Sequence, residues 1–388
     1  MIIEEADRLK NLPPYLFAEI DRVIKEKRSN GIDVISLGIG DPDMPTPEPI
    51  IEALYKAARD NDNHRYPSSY GLLDFKRSIS SFYKRRFGVD LDPENEIITL
   101  IGSKTAIANM AYTYINPGDL SIVPDPAYLV YSIGTMFAGG KSFKVPLLEK
   151  NDFLLDIDSI DSITAENAKL FYINYPNNPT SATCDIDFFN KIVNFAKEHK
   201  ILVCHDNAYS DIFEDPDNKP ISFLNAKGAK DVGIEINSLS KTFNMTGWRL
   251  AYAVGNSEVI QSLGKYKTNV DSGAFNAVQF AGKSALDGYE SFINKNNAIY
   301  TARKNMVKSA LDKLSINYFD SDATIYIWSK VPEGYTSTSF AKMLLEKADV
   351  VVTPGSAFGD SGEGFFRISL TISDDRLEEA ISRIGKVL

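Results

Sequence analysis

The sequence predicts an α/β protein whose main body is a largely parallel sheet with helices on both faces. Two observations lead there. From about residue 96 to residue 255, short apolar runs alternate with stretches of helical periodicity, the pattern of strand–helix–strand units. Five of the turns after those runs carry a glycine or polar residue: Gly102, Asp125, Asn178, Asp206 and Ser238. Ligands of such sheets gather beyond the carboxyl ends of the strands, so the five turns converge on one rim and predict one site. A third observation sets the scale, since 388 residues suffice for one large domain and a smaller one.

Taken in order, residues 1–15 read as an arm, because Pro13 and Pro14 preclude a regular helix beside Tyr15. Residues 17–28 have the period of an amphipathic helix, with Ile20, Val23 and Ile24 on one side. A short apolar strand over 34–38 delivers Gly38-Ile39-Gly40-Asp41-Pro42, and helices over 48–58 and 72–87 flank Tyr66-Pro67-Ser68-Ser69-Tyr70-Gly71. Gly40 lacks a side chain that would block approach to the backbone. A strand over 96–100 leads to Gly102-Ser103-Lys104, which opens a helix to about residue 115. A small turn at a helix start presents free N–H groups and a positive dipole end, a setting for a phosphate. Ser103 as an ordinary N-cap explains the same residues, and both accounts can hold.

The next strand covers 120–123 and runs into Pro124-Asp125-Pro126-Ala127-Tyr128, and strands follow over 141–147, 169–174 and 201–204. The run 169–174 ends in Tyr175-Pro176-Asn177-Asn178-Pro179-Thr180, and 201–204 in His205-Asp206-Asn207-Ala208-Tyr209. As isolated features these read as an Asn-Pro turn and an acidic helix cap. The stretch 235–255 is the most telling. Apolar residues alternate into it and out of it, and between them lie Ser238, Ser240 and Lys241, with Arg249 eight residues after the lysine. A lysine held in a serine-rich turn between strands can condense with an aldehyde cofactor. The two hydroxyls and the planar fork of Arg249 suit a phosphate dianion. A solvated hairpin loop with a surface lysine is the plainer alternative.

Beyond residue 255 the pattern is helical, interrupted by Lys267-Thr268-Asn269-Val270-Asp271-Ser272-Gly273. Helices over 276–288 and 289–314 follow, the second leading into the smaller domain. Strands over 326–328 and 350–352 flank a helix over 340–347, and a strand over 365–370 carries Arg367 inside an apolar run. An arginine there is costly unless it is paired or lies on an exposed edge strand.

The net charge of −10, without a long basic run, argues against nucleic acid or an anionic membrane as partner. No run of roughly 18 apolar residues suggests a membrane span. Cys184 and Cys204 are the only cysteines, lack metal-ligand spacing and suit a reducing cytoplasm; the acidic N-terminus has no signal-peptide pattern. A cytoplasmic protein without a metal site is the expectation.

Ser238-Leu239-Ser240-Lys241, continued by Thr246-Gly247-Trp248-Arg249, resembles the cofactor-lysine motif of the class I/II aminotransferases, which are fold-type-I pyridoxal phosphate enzymes. The resemblance runs through nearly the whole chain with the motifs in family order. It implies a seven-stranded, mainly parallel sheet in a large domain at 46–288. Residues 1–45 would form the arm and part of a small α+β domain, and 289–388 the rest of it. It implies pyridoxal 5'-phosphate as cofactor and Lys241 as catalytic lysine, moving the proton in a ping-pong amino transfer between amino acids and keto acids. Tyr66, Ser103, Lys104, Tyr128, Asn178, Asp206, Tyr209, Ser238, Ser240 and Arg249 would contact the cofactor. Among these, Asp206 would hold the proton on the pyridine nitrogen, Asn178 and Tyr209 would reach the phenolic oxygen, and Tyr128 would lie against the ring. Arg367, in its Arg-Ile-Ser context, would clamp the substrate α-carboxylate, and Gly40 would let that carboxylate approach. Tyr66 would reach the neighbouring subunit's cofactor phosphate, which implies a homodimer with shared sites. Tyr175 and Ser181 depart from the family's Asn and Gly at those motif positions. The segments 15–20, 37–42 and 267–273 further resemble the LL-diaminopimelate aminotransferases, which implies Tyr15 and Lys104 as holders of a long, doubly charged substrate. Broad aspartate, alanine or aromatic aminotransfer and a C–S lyase are the alternatives.

Overall fold

The structure, a computed structural model, describes residues 4–10, 12 and 16–388, with side chains of the first long helix from residue 22 onward. Tyr15 and the Pro13–Pro14 pair, and the side chain of Ile20, lie outside the described residues. The strands in chain order are β1 (Ile35–Ser36), β2 (Ile97–Leu100), β3 (Leu120–Asp125), β4 (Lys141–Pro146), β5 (Ala168–Ile173), β6 (Leu202–Asp206), β7 (Gly233–Ser238), β8 (Ala251–Gly255), β9 (Tyr318–Phe319), β10 (Tyr326–Lys330), β11 (Val350–Val351), β12 (Thr353–Pro354) and β13 (Phe365–Ser369).

β2 to β8 form one seven-stranded sheet in the order β2-β8-β7-β6-β5-β3-β4. The pairs from β7 across to β4 are parallel, and β8 runs antiparallel between β2 and β7. Successive side chains point to opposite faces of a strand, so each strand feeds two cores. Ile97, Phe171 and Val203 pack on one face with Phe75, Ile79, Phe82, Phe189 and Ile192 of the helices Leu73–Phe87 and Ile186–His199. Ile98, Leu170 and Cys204 pack on the other with Ile107, Met110, Val259 and Ile260 of the helices Ser103–Tyr114 and Ser257–Lys267. Each large apolar side chain taken from water contributes about 1.5–3 kcal/mol, which is why both faces are covered. A smaller antiparallel sheet, β12-β13-β10-β9, packs with the helices Tyr289–Lys313, Ser337–Lys347 and Asp374–Gly385 around a core of its own.

β2, β3, β5, β6 and β7 all run the same way, so Gly102, Asp125, Asn178, Asp206 and Ser238 come to the carboxyl rim. The reversed strand completes the set. Ser238 pairs with Ala251, so Arg249, just ahead of β8, reaches the same rim from the opposite direction.

Some local expectations change. The arm contains a short helix, Asp7–Lys10. The expected strand 350–352 is found at Val350–Val351, pairing with β1, and a further strand, Thr353–Pro354, pairs with β13 once the chain has passed to the next sheet at Val352. Between β7 and β8 the lysine sits on a single helical turn, Leu239–Thr242, rather than in an open hairpin loop.

Candidate active site

The Ser238 side chain ends β7 by capping that turn, its Oγ accepting from Ser240 N at 3.2 Å. The next helical residue, Lys241, is thereby turned toward the small sheet, and its Nζ donates to the carbonyl of Gly40. Burial pushes the Lys241 ammonium below its ordinary range; Tyr326 and Asp41 oppose that, while Arg367 and Arg249 add to it. A half-buried amine among cations is disposed toward the neutral, nucleophilic form.

Arg249 adopts left-handed backbone (φ 56°) after the turn Thr246–Trp248, and its Nη1 donates to Thr246 O at 2.9 Å. Its guanidinium covers Gly102, where a Cβ would stand 2.2 Å from Nη2. Gly102 has φ +100° and forms the N-cap without a side-chain bond, so Ser103 is the first helical residue and not the cap. The start of the helix Ser103–Tyr114 therefore keeps its N–H groups for an anion, beside a fixed guanidinium.

Asp206 ends β6 and is buried. Its Oδ2 accepts from the Tyr131 hydroxyl at 2.8 Å, while Oδ1 is buried without a hydrogen-bond partner. Burial pushes the carboxyl up to about 6, against the pull of the Tyr131 hydrogen bond and the His205 charge. Asn174 joins two strand ends: Nδ2 donates to Asp206 O at 2.7 Å and Oδ1 accepts from Asn178 N at 2.8 Å. Asn178 Oδ1 then accepts from Arg367 Nη1 at 2.6 Å, and Arg367 Nη2 donates to Gly38 O at 2.7 Å. Arg367 is 4% exposed on β13, between β12 and β10, so exposure on an edge strand does not explain it. Its guanidinium lies 4.1 Å from the Tyr326 ring centre and 4.7 Å from that of Phe358. Tyr209 and Tyr326 share a hydroxyl hydrogen bond of 2.9 Å. Gly40 admits this packing, since a Cβ there would be 2.0 Å from the Tyr326 hydroxyl. Tyr128 is half-buried and edge-on to Tyr131 at 6.1 Å, next to Asp206.

Gly40, Asn178, Asp206, Tyr209, Lys241 and Arg367 are thus linked by direct contacts or by one intervening residue, and the charge of Arg249 reaches Lys241. Tyr66 stands apart at 86% exposed, Lys104 is exposed on the first turn of its helix, and Tyr15 is outside the described residues. Tyr131, Asn174 and Tyr326 are the members that reading the sequence missed. Tyr131 and Tyr326 are aromatics in apolar elements that also carry Phe137 and Trp328, and nothing local separates them from core residues. The two departures from the family pattern have physical accommodations. Tyr175 accepts from Leu155 N at 2.9 Å and donates to Phe153 O at 3.2 Å. Ser181 holds left-handed backbone (φ 66°), with its hydroxyl bonded to Thr324 Oγ1 at 2.6 Å and Tyr326 O at 3.1 Å.

Behind the rim His205 is fully buried, with Nδ1 2.9 Å from Glu235 Oε2 and Nε2 2.9 Å from Tyr175 O. Nδ1 is placed to donate to the carboxylate, while Nε2 lies near both the carbonyl and, at 3.4 Å, the N–H of Tyr175. Burial alone would raise the Glu235 carboxyl; His205 and the Tyr83 hydroxyl, 2.5 Å away, hold it below the ordinary range. Breaking a buried pair by removing one charge typically costs about 3–5 kcal/mol. Glu235→Gln is therefore expected to lower unfolding free energy by about that amount, read by urea titration. An unchanged midpoint shows that the pair contributes no net stability.

The buried Oδ1 of Asp206 without a partner fits a protonated ring nitrogen. The cradle of Gly102, Ser103 and Arg249 fits a phosphate, and the half-buried amine of Lys241, held below its ordinary range, fits an aldehyde carbon. The family model for aminotransferase class I and II matches residues 32–384, and the chain belongs to that family. It is a pyridoxal phosphate-dependent aminotransferase. The chain is 54% identical to LL-diaminopimelate aminotransferase of Aquifex aeolicus, over 99% of each chain. It is 52% identical to the enzyme of that name from Moorella thermoacetica, over 100% of this chain and 99% of that one. Among solved structures, substrate-bound BacF from Bacillus subtilis superposes with a TM-score of 0.94 at 40% identity, covering 100% of this chain and 98% of the other. No helix among the described residues is long and apolar enough to cross a membrane.

Proposed function

We propose that the chain transfers the amino group of glutamate to tetrahydrodipicolinate, giving LL-2,6-diaminopimelate and 2-oxoglutarate in lysine biosynthesis in the cytoplasm. The observation that carries the substrate is the likeness, end to end and above half identity, to enzymes named for LL-diaminopimelate. Arg367 binds the α-carboxylate with its bidentate fork, preset by Gly38 O and by stacking on Tyr326. Gly40 leaves backbone space for the carboxylate; Tyr15 and Lys104 take the distal end of the substrate. Ser103, Lys104, Ser238, Ser240 and Arg249 hold the phosphate, and Asp206 keeps the ring nitrogen protonated. Asn178 and Tyr209 hydrogen-bond the phenolic oxygen, while Tyr128 covers the ring. Bound, pyridoxal 5'-phosphate supplies an electron sink for the substrate α-carbon. Lys241 Nζ takes the α-proton and returns it as general acid and base. A panel of keto acids with glutamate as donor tests the reading. Tetrahydrodipicolinate is expected as the preferred acceptor. Preference for oxaloacetate, pyruvate or aromatic keto acids overturns the assignment, and release of pyruvate and ammonia without an acceptor identifies a lyase.

Tyr66 supports a homodimer. A tyrosine 86% exposed on a single chain, five residues before Gly71, suits a side chain that crosses to the partner's phosphate. Each site then borrows a residue. In heterodimers of Lys241→Ala with Tyr66→Phe, one site carries both defects and the other carries neither. Once tagged chains show that subunits exchange, activity is expected to rise above the sum of the parents. Activity that stays at that sum rules out the shared site.

A further inference from the structure

Tyr326 lies between two groups of the proposed mechanism. The Arg367 guanidinium carbon lies over its ring, 4.1 Å from the centre, and its hydroxyl meets the Tyr209 hydroxyl at 2.9 Å. The side chain is 3% exposed, and Gly40 faces it without a Cβ. We propose that Tyr326 is a positioning residue with two separable jobs: its ring presets the carboxylate clamp, and its hydroxyl donates to Tyr209 so that Tyr209 donates onward to the cofactor. This rests on the role proposed above for Tyr209.

Two hydroxyls in one hydrogen bond use one proton, and either could be the donor. If the Tyr209 proton is committed to the cofactor's phenolic oxygen, Tyr209 can only accept from Tyr326. Accepting that bond makes Tyr209 a stronger donor, because hydrogen bonds in a chain polarise one another. A stronger donor favours the ionised phenolic oxygen, which then holds less tightly the proton it shares with the neighbouring nitrogen. The charged groups around the pair are Arg367 from β13, Asp206 from the end of β6, Lys241 from the turn after β7, and Asp41. Tyr300 faces Tyr326 from the helix Tyr289–Lys313. Removing the Tyr326 hydroxyl keeps these side chains but takes away the Tyr326 contribution that opposes the lowering of Lys241, a route the double variant separates because it does not pass through Tyr209. Arg367 Nε has no hydrogen-bond partner, so packing on the Tyr326 and Phe358 rings helps fix the guanidinium.

The test uses the cofactor-loaded enzyme and four variants: Tyr326→Phe, Tyr326→Leu, Tyr209→Phe and the double Tyr209→Phe/Tyr326→Phe. The first readout is the pH midpoint of the visible absorption band. Tyr326→Phe is expected to raise it by about half to one pH unit, less than Tyr209→Phe does and in the same direction. The double variant is expected to match Tyr209→Phe, because the outer hydroxyl acts only through the inner one. The second readout is steady-state kinetics. Tyr326→Phe is expected to lower kcat about three- to tenfold with the KM for glutamate within about twofold, while Tyr326→Leu raises that KM about tenfold. Tyr326→Phe keeps the ring, so the hydroxyl test stands whether or not the leucine variant folds. A wild-type midpoint in Tyr326→Phe beside a shifted Tyr209→Phe overturns the proposal, and so do shifts that add in the double variant. A silent Tyr209→Phe overturns the role of Tyr209 itself and takes the proposal with it.

Discussion

Lys241→Ala is expected to abolish amino transfer while the protein stays folded. The loss should be at least about 10⁴-fold, the upper range for removing a positioned general acid–base, since the same Nζ also supplies the amine that engages the aldehyde. The fold should tolerate the change. Burial already disfavours the Lys241 ammonium, so removing it relieves a cost that offsets the lost bond to Gly40 O. Two measurements check this. Single-turnover conversion of glutamate should disappear in the variant with the far-UV spectrum unchanged. Borohydride treatment of the wild type, followed by peptide mass analysis, should leave the cofactor mass on the peptide containing Lys241. An alanine variant with full turnover ends the mechanism; a cofactor mass on another lysine reassigns it.

How much of this site the sequence disclosed follows from how local each signal is. Ser238, Ser240, Lys241 and Arg249 sit in one continuous stretch, and the turns after β2, β5, β6 and β7 follow recognisable apolar runs. Those positions depend on neighbours in sequence, and the strand–helix alternation carried them to one rim. What was hidden depends on pairing. The reversal of β8, which brings Arg249 over Gly102, is a matter of strand order that no local pattern encodes. Asn174 reads as the last residue of an apolar strand; its bond to Asn178 spans four residues, but its bond to Asp206 exists only because β5 lies beside β6. Tyr326 meets Tyr209 across 117 positions of chain, so its chemistry is invisible until the small sheet has packed against the large one. The same distance effect hid the strand Thr353–Pro354, which follows the apolar run 350–352 and is defined by its pairing with β13 and not by its composition.

Asp206→Asn is expected to give two results of opposite sign. Activity should fall by several kcal/mol of barrier, roughly 10²–10³-fold, because an amide cannot hold a ring-nitrogen proton by charge. Stability of the cofactor-free protein should rise at neutral pH. Burial raises the Asp206 carboxyl from 3.8 to about 6, so the folded chain binds that proton more tightly than the unfolded chain does. Stability from this group is therefore greatest in acid and is lost as pH rises from about 4 to about 6. Above that window the wild type carries a buried carboxylate whose Oδ1 has no partner, at a cost of about 3 kcal/mol. Asparagine carries no charge at any pH and escapes that cost. Urea titrations of the cofactor-free proteins should then agree near pH 4 and diverge by about 3 kcal/mol at pH 8, with the variant the more stable. Adding pyridoxal 5'-phosphate should reverse the order at pH 8, since a protonated ring nitrogen pairs with the carboxylate and not with the amide. Parallel titration curves across the whole pH range would mean that Asp206 is solvated in the free protein. Near wild-type turnover in the variant would leave it only a residue of the turn after β6.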